Sequence, residues 1–314
     1  LTTNRDFKEA IITKNGTVDM KIALIANPYS GGQKGKKVIP EVEKQLQEKK
    51  IGYDLFITRY HRHAESILED INAKDYDAVV SLGGDGTNFQ VLNCILKNFK
   101  PEDIPALGII PVGRGNSFAR DLDIRTTRDG ISALVRQTTR AVDVCSFTCG
   151  KELYYFVNLA GFGFVTDVTR TAAKFSYMGE LSYVIGVLIQ TAGLCFYDMT
   201  LDIDGKRISG KNCFVEFCNS RYTGGSMLMA PEAKIDDGFF DVVVTGPLGR
   251  MSLLATLPKI FKGTHGDNPA VRFFRAKKVK VLTAPPKVLL PDGEIFGTTP
   301  MEINIHPKLV RYFC

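Results

Sequence analysis

The stretch Ser81-Leu82-Gly83-Gly84-Asp85-Gly86-Thr87-Asn88 carries the densest chemical signal in the chain. It follows the apolar run Ala78-Val79-Val80 and precedes a helix-like segment from Phe89 to Leu96. Glycines at 83, 84 and 86 let the backbone turn tightly and bring its N–H groups close to a ligand. Between a buried strand and a helix N-terminus, those donors combine with the positive end of the helix dipole, and phosphate is the natural guest. Asp85 would repel a bare phosphate, so its presence points to a metal–nucleotide complex in which a divalent cation or a proton lies between the charges.

Four further clusters have comparable capacity. Asn27-Pro28-Tyr29-Ser30-Gly31-Gly32, with Lys34, Lys36 and Lys37 beyond it, reads as a second phosphate loop or as a plain turn. It lacks the leading Gly and terminal Ser/Thr of a Walker loop. Pro111-Val112-Gly113-Arg114-Gly115-Asn116-Ser117-Phe118-Ala119-Arg120 supplies backbone donors and a side-chain amide for nucleotide oxygens or a purine, or else a loop capped by Asn116 or Ser117. Asp236-Asp237-Gly238 could hold a hard cation through one carboxylate and nearby carbonyls, and is equally an ordinary turn. Pro291-Asp292-Gly293-Glu294 sets two carboxylates around a glycine, as a catalytic pair or a polar hairpin tip.

The elements that must position these residues follow from hydrophobic periodicity. Strands are expected at 21–26, 53–57, 78–82 and 106–110, with helices at 36–49, 64–72 and 89–97 between them. Such βαβ repetition implies a mostly parallel sheet covered on both faces, whose ligands sit beyond the C-terminal strand ends, where three of the loops fall. From Asp143 the texture changes to strand-like segments at 154–159, 199–204, 212–218, 239–245, 278–283 and 301–305, with helices at 181–192 and around 253–261. A mainly antiparallel β-sandwich is expected there, with Asp204-Gly205 at a hairpin turn. The division is a nucleotide-binding α/β domain over 1–142, to which 307–314 return, and a β-sandwich substrate domain over 143–306.

Composition bounds the rest. A chain of 314 residues with 44% hydrophobic and 24% charged residues suits a two-domain globular enzyme and excludes a disordered one. No run approaches the roughly 18 apolar residues of a membrane span, and the start Leu1-Thr2-Thr3-Asn4 lacks a secretory layout. Seven cysteines without a CxxC pair are expected to be reduced thiols of a cytosolic protein. The net charge is +6, and Arg272, Arg275, Lys277, Lys278 and Lys280 cluster, either as a solvated strand face or as an attraction to anionic membrane. No interleaving of aromatic and basic residues suggests nucleic acid.

In this order, the clusters resemble the diacylglycerol kinase catalytic-domain superfamily, which includes bacterial lipid kinases, sphingosine kinases and ceramide kinases. Asn27–Gly32, Gly83–Thr87 and Gly113–Arg120 look like its three nucleotide loops, and Gly179-Glu180-Leu181-Ser182-Tyr183 is similar to a family helix. Ala230–Val242 resembles its cation-bearing turn, and Asp292-Gly293-Glu294 with Thr299-Pro300-Met301-Glu302 its catalytic turn. The resemblance implies a Rossmann-like, NAD kinase/phosphofructokinase-like first domain and an ATP-dependent lipid kinase that phosphorylates a diacylglycerol or sphingoid-type hydroxyl in an interdomain cleft. It implies that Gly83, Gly84, Gly86 and Thr87 cradle the phosphates, with Asn27, Thr58, Gly113 and Asn116 contributing elsewhere. Asp292 would take the hydroxyl proton, Glu294 would support it, and Asp85 would act through Mg2+ and water. Asp237, with the carbonyls of Lys234 and Phe239, would hold a structural cation.

Gln90 and Ser117 stand where family members usually carry acidic residues. These departures keep open a non-catalytic nucleotide or lipid sensor, and the glycine turn, which NAD kinases share, keeps open an NAD kinase-like enzyme with a soluble substrate. For the lipid kinase, a cytoplasmic protein in reversible contact with anionic membrane is expected, through residues 272–280 and apolar positions in 253–274. The particular lipid and the oligomeric state are not legible.

Overall fold

A computed structural model describes residues 20–175, 178 and 181–314. Of the family-like helix motif, Gly179 and Glu180 lie outside the described residues. By contacts, one compact unit runs through Arg140 and includes Val310–Cys314, and the other is Ala141–Leu309.

The first unit alternates strand and helix. The order is β1 (Lys21–Ala26), α1 (Ser30–Gln33), α2 (Gly35–Glu48), β2 (Gly52–Ile57), α3 (His63–Asp70), β3 (Ala78–Gly83), α4 (Asp85–Asn98), β4 (Ala106–Pro111), α5 (Ser117–Asp121) and α6 (Thr127–Arg136). The strands lie in the order β2-β1-β3-β4, all parallel. Every residue of β3 is buried, as covering both faces of a parallel sheet requires. The chain's last residues complete this unit: Tyr312 pairs with Leu107, packs edge-on against Phe118 at 5.0 Å and donates its hydroxyl to Asn88 Oδ1 at 3.1 Å.

The second unit is antiparallel, as its strand-and-turn texture predicts. It holds β5 (Thr139–Cys149), β6 (Glu152–Phe156), β7 (Leu159–Gly163), α7 (Phe164–Lys174), α8 (Leu181–Ala192), β8 (Tyr197–Ile203), β9 (Lys206–Asn212), β10 (Phe214–Cys218), β11 (Tyr222–Thr223) and β12 (Met227–Leu228). Then come β13 (Phe240–Thr245), α9 (Arg250–Ile260), β14 (Val271–Ala276), β15 (Lys278–Ala284), β16 (Leu289–Pro291) and β17 (Met301–Phe313). β5 and β17 cross the boundary between the units. One sheet has the order β14-β13-β10-β7-β16, and the strands β9, β8, β15 and β17 pair in sequence in another. The Asp204-Gly205 turn joins β8 to β9, with both residues at positive φ of 47° and 87°, the signature of a two-residue type I′ hairpin. The single strand expected at 154–159 is instead two, because the chain breaks at Val157-Asn158 between β6 and β7.

Two buried carboxylates of the five-stranded sheet, Glu216 and Asp241, depart from apolar patterning. Glu216, mid-β10, is 2% exposed, and burial pushes its carboxyl from 4.5 up to about 8. The folded chain thus keeps a proton that the unfolded chain releases, so stability is full below about pH 4.5 and declines as pH rises toward about 8. The expected loss is roughly 3–5 kcal/mol by the top of that window. Urea denaturation at pH 5 and pH 8 checks this: Glu216→Gln removes most of the slope. Asp241, raised by burial to about 6, keeps a smaller part of it.

Candidate active site

The nucleotide-loop candidates of the first unit meet at one rim, through hydrogen bonds between strand ends. The N–H groups of Val112 and Gly113 both donate to Gly83 O, at 2.8 and 3.2 Å. Asn27 N–H donates to Leu82 O at 2.9 Å, and the N–H of buried Thr58 to Ala26 O at 2.8 Å. The backbones are too close for side chains at two positions. A Cβ on Gly31, whose φ is +63°, would lie 2.3 Å from Val112 O; one on Gly113 would lie 2.6 Å from both Gly84 Cα and Asn116 Oδ1. All three loops therefore form one surface.

The side chains tie that surface together. Asn27 Nδ2 donates to Thr87 Oγ1 at 3.3 Å, and Asn116 Nδ2 to Gly113 O at 2.7 Å. Asn116 Oδ1 is buried beside Gly84 and Gly113 with no hydrogen-bond partner, an acceptor suited to a donor on a ligand. The 14-residue α4 starts directly after Gly84, so its positive end faces this rim, with the Thr87 N–H turned back onto Gly84 O at 3.0 Å.

Asp85 has a role that the sequence reading did not anticipate. Its carboxylate accepts the N–H groups of Ser117 at 3.0 Å and Phe118 at 3.4 Å, capping α5 from another loop. Burial pushes its carboxyl above the ordinary value, against the pull of those donors. A single half-buried carboxylate at a phosphate rim suits magnesium, which keeps most of its waters and takes one or two carboxylates besides phosphate oxygens. Gln90 is half-buried one turn into α4, and Ser117 is buried with its N–H on Asp85.

The second unit presents Asp292. It is 3% exposed and left-handed, with φ 44°. Its Oδ1 accepts the N–H groups of Asn158 and Leu159, both at 3.0 Å, and its Oδ2 accepts that of Val157 at 3.3 Å. Its own N–H returns to Leu159 O at 2.8 Å. Three consecutive backbone donors thus fix the orientation of this carboxylate. Glu294 closes the turn with its N–H on Pro291 O at 2.8 Å.

The break between β6 and β7 exists to make these contacts, and residues that the sequence did not single out hold it. Asn219 Nδ2 donates to Val157 O and to Asp143 O, and the N–H groups of Asn219 and Ser220 both reach Asn158 O. Ser220 Oγ also bonds Asn158 Oδ1. Asp143, fully buried, accepts Gly238 N–H at 2.6 Å and Lys308 N–H at 2.7 Å. Burial raises its carboxyl, reinforced by Asp237 and Asp236. The available signal was a charged residue between two valines, Val142-Asp143-Val144, inside a buried strand.

The aspartate turn is therefore braced by Asp143. Asp237 itself is engaged: Oδ2 pairs with Arg275 Nη2 at 2.5 Å, and Oδ1 accepts Phe239 N–H at 3.1 Å. Arg275 also lies over the Phe239 ring, 4.6 Å from its centroid. Among the described residues, no group of three His, Cys, Asp or Glu is placed to hold a metal. The Asp237 carboxylate that was expected to hold a cation is thus shared between Arg275 and the Phe239 N–H.

Comparison with known proteins adds the family context. Residues 21–147 match the diacylglycerol kinase catalytic domain, and residues 158–314 match the YegS C-terminal NAD kinase beta sandwich-like domain. The chain is similar to a diacylglycerol kinase of Staphylococcus carnosus, 26% identical over 296 residues that cover 92% of this chain and 94% of that protein. It is also similar to sphingosine kinase 1 of Arabidopsis thaliana, 25% identical over 323 residues covering 87% and 66%. Its fold is similar to the crystal structure of a diacylglycerol kinase from Bacillus anthracis, with a TM-score of 0.72, 20% identity and coverage of 94% and 96%.

Gly113→Ala forces its methyl into Gly84 and Asn116, so it is expected to weaken ATP binding at least about tenfold while leaving the far-UV circular dichroism unchanged. Titration calorimetry of the variant against the parent chain checks it.

Proposed function

The chain belongs to the diacylglycerol kinase catalytic-domain superfamily and is a lipid kinase, and from that premise we propose how it moves the γ-phosphoryl group of ATP to a lipid hydroxyl of diacylglycerol or sphingoid type. The first unit serves as the nucleotide-binding domain and the second as the lipid-substrate domain. The observation that carries the reading is Asp292: a buried carboxylate whose orientation is fixed by three consecutive backbone donors.

Phosphoryl transfer needs positioning and charge neutralisation more than covalent chemistry by the protein. The α4 N-terminus, Gly83, Gly84, Gly86 and Thr87 take the phosphates of ATP. Asn116 Oδ1 accepts from a nucleotide donor, and Asn27, Thr58 and Gly113 hold the loops in place. Magnesium bound with ATP would neutralise phosphate charge, with Asp85 as its protein contact through water. The Asp292 carboxylate accepts the proton of the lipid hydroxyl as the oxygen attacks phosphorus and ADP leaves, and Glu294 supports the turn. A structural cation at Asp237 would need Arg275 displaced, and no step depends on it.

The acceptor lives in a bilayer, so the enzyme is proposed to be cytoplasmic and to bind membrane reversibly. The surface that supports this is α8, whose patterning is inverted. Its 12 residues include no charge; Ser182, Gly186 and Thr191 face inward, while Leu181, Val184, Leu188 and Ile189 are 45–60% exposed. Large apolar side chains outside and small or polar ones inside fit an apolar medium, not water. Arg170 and Lys174, exposed on the adjoining α7, give the flank the sign that anionic lipid attracts. The 272–280 cluster is a weaker candidate: Arg275 pairs with Asp237, and Lys278 and Lys280 both pair with Glu302.

Radiolabelled ATP offered with diacylglycerol, sphingosine or NAD tests the reading. Transfer to a lipid is expected, and transfer only to NAD, or to no acceptor with magnesium present, would overturn it. Asp292→Asn should lower kcat by about 10²–10⁴-fold with ATP affinity unchanged. Val184→Ser with Leu188→Ser should reduce sedimentation with anionic vesicles and raise KM for vesicle-borne lipid, but not for lipid dispersed in detergent.

A further inference from the structure

Glu216 is a second buried acid on the sheet that carries Asp292, and no step above uses it. In register it pairs with Gly161 of β7 and Val243 of β13, on the face where Phe214, Cys218 and Leu159 belong to an apolar cluster shared with α7 and α9. Its Oε2 is buried without a hydrogen-bond partner. Space is made for it opposite, because a Cβ on Gly161 would come within 2.9 Å of Glu216 Cγ and 3.2 Å of Val165 Cγ2. An unpartnered carboxyl among apolar side chains lowers stability, and leucine would serve the core better. The fold accommodates a group that weakens it, which is the pattern of a binding residue.

We propose that Glu216 determines acceptor specificity by donating a hydrogen bond to an ester carbonyl of a glycerolipid whose free hydroxyl lies at Asp292. The proposal rests on the lipid-kinase reading with Asp292 as base. β16 pairs with β7, β7 pairs with β10, and Asp292 N–H continues the ladder onto Leu159 O. Glu216 therefore sits two strands across and two residues along from Asp292, about 12 Å between Cα atoms by standard strand spacings. Two side chains and the few bonds between a glycerol hydroxyl and its ester carbonyls can bridge that distance.

The choice of a carbonyl over an amine follows from the protonation state. A carboxyl pushed up to about 8 is mostly neutral at pH 7 and can donate. The titratable groups facing it do not reverse this. Tyr183 of α8 is 39% exposed, and its phenol is shifted upward, so it stays neutral at this pH. Burial also raises the thiol of Cys218, on β10, and Asp241 of β13, the latter to about 6.

Steady-state kinetics and thermal melts of the full chain test the proposal, with diacylglycerol and sphingosine each presented in mixed micelles. Glu216→Leu should raise KM for diacylglycerol about tenfold, leave kcat within about twofold and raise Tm, since an unpaired buried acid is removed. Glu216→Gln keeps a donor of the same shape and should hold KM within about threefold of the parent. An unchanged KM in Glu216→Leu, a lower Tm, or a parent enzyme that prefers sphingosine and loses it in Glu216→Gln would each overturn the proposal. A parent chain that phosphorylates neither lipid would sink the kinase reading itself, before any variant is compared.

Discussion

Three consecutive N–H groups, from Val157, Asn158 and Leu159, converge on the carboxylate of Asp292, and much of the second unit is arranged so that they can. A strand running straight through these residues would spend the N–H groups alternately on its two neighbours. Breaking the strand frees them to point one way. The break leaves carbonyls to satisfy, and Asn219 and Ser220 meet that need from the end of β10. Asn219 also reaches Asp143, which holds the aspartate turn, so one connected set of buried polar groups links residues more than 130 positions apart. Most of the network's members are satisfied, as buried polar groups require, while Asn219 Oδ1 is buried without a partner.

The first unit works by a different constraint, the contact of backbones. Three loops after parallel strands can share one ligand only if they approach more closely than side chains permit. Gly31 lies against Val112, and Gly113 against Gly84. Asp85 then fastens the third loop by capping α5, so a residue with the charge to meet a metal also sets the shape of the nucleotide rim.

Around the second unit's helices, polarity is inverted at two places. Leucine and isoleucine of α8 face outward, and a glutamate of β10 faces inward without a partner. Each costs stability in water, and the outward apolar face of α8 suits an acceptor that arrives from an apolar phase.

The sequence alone determined the alternation of strand and helix, the change to antiparallel texture near Asp143, the hairpin at Asp204-Gly205 and the chemistry of the glycine loops, because each depends on local periodicity or on a residue's own backbone freedom. It also carried the ordered motifs by which the family is recognised. Tertiary structure alone decided which face of each strand is buried, since a slip of one residue reverses every side chain. That is why the strand expected at 212–218 did not single out Glu216, and why α8 gave no hint that its leucines face out. The pairing of Asp237 with Arg275, and the bracing of its turn by Asp143, join strands far apart in the chain. Only the register of those strands brings the charges together, and no local pattern encodes it.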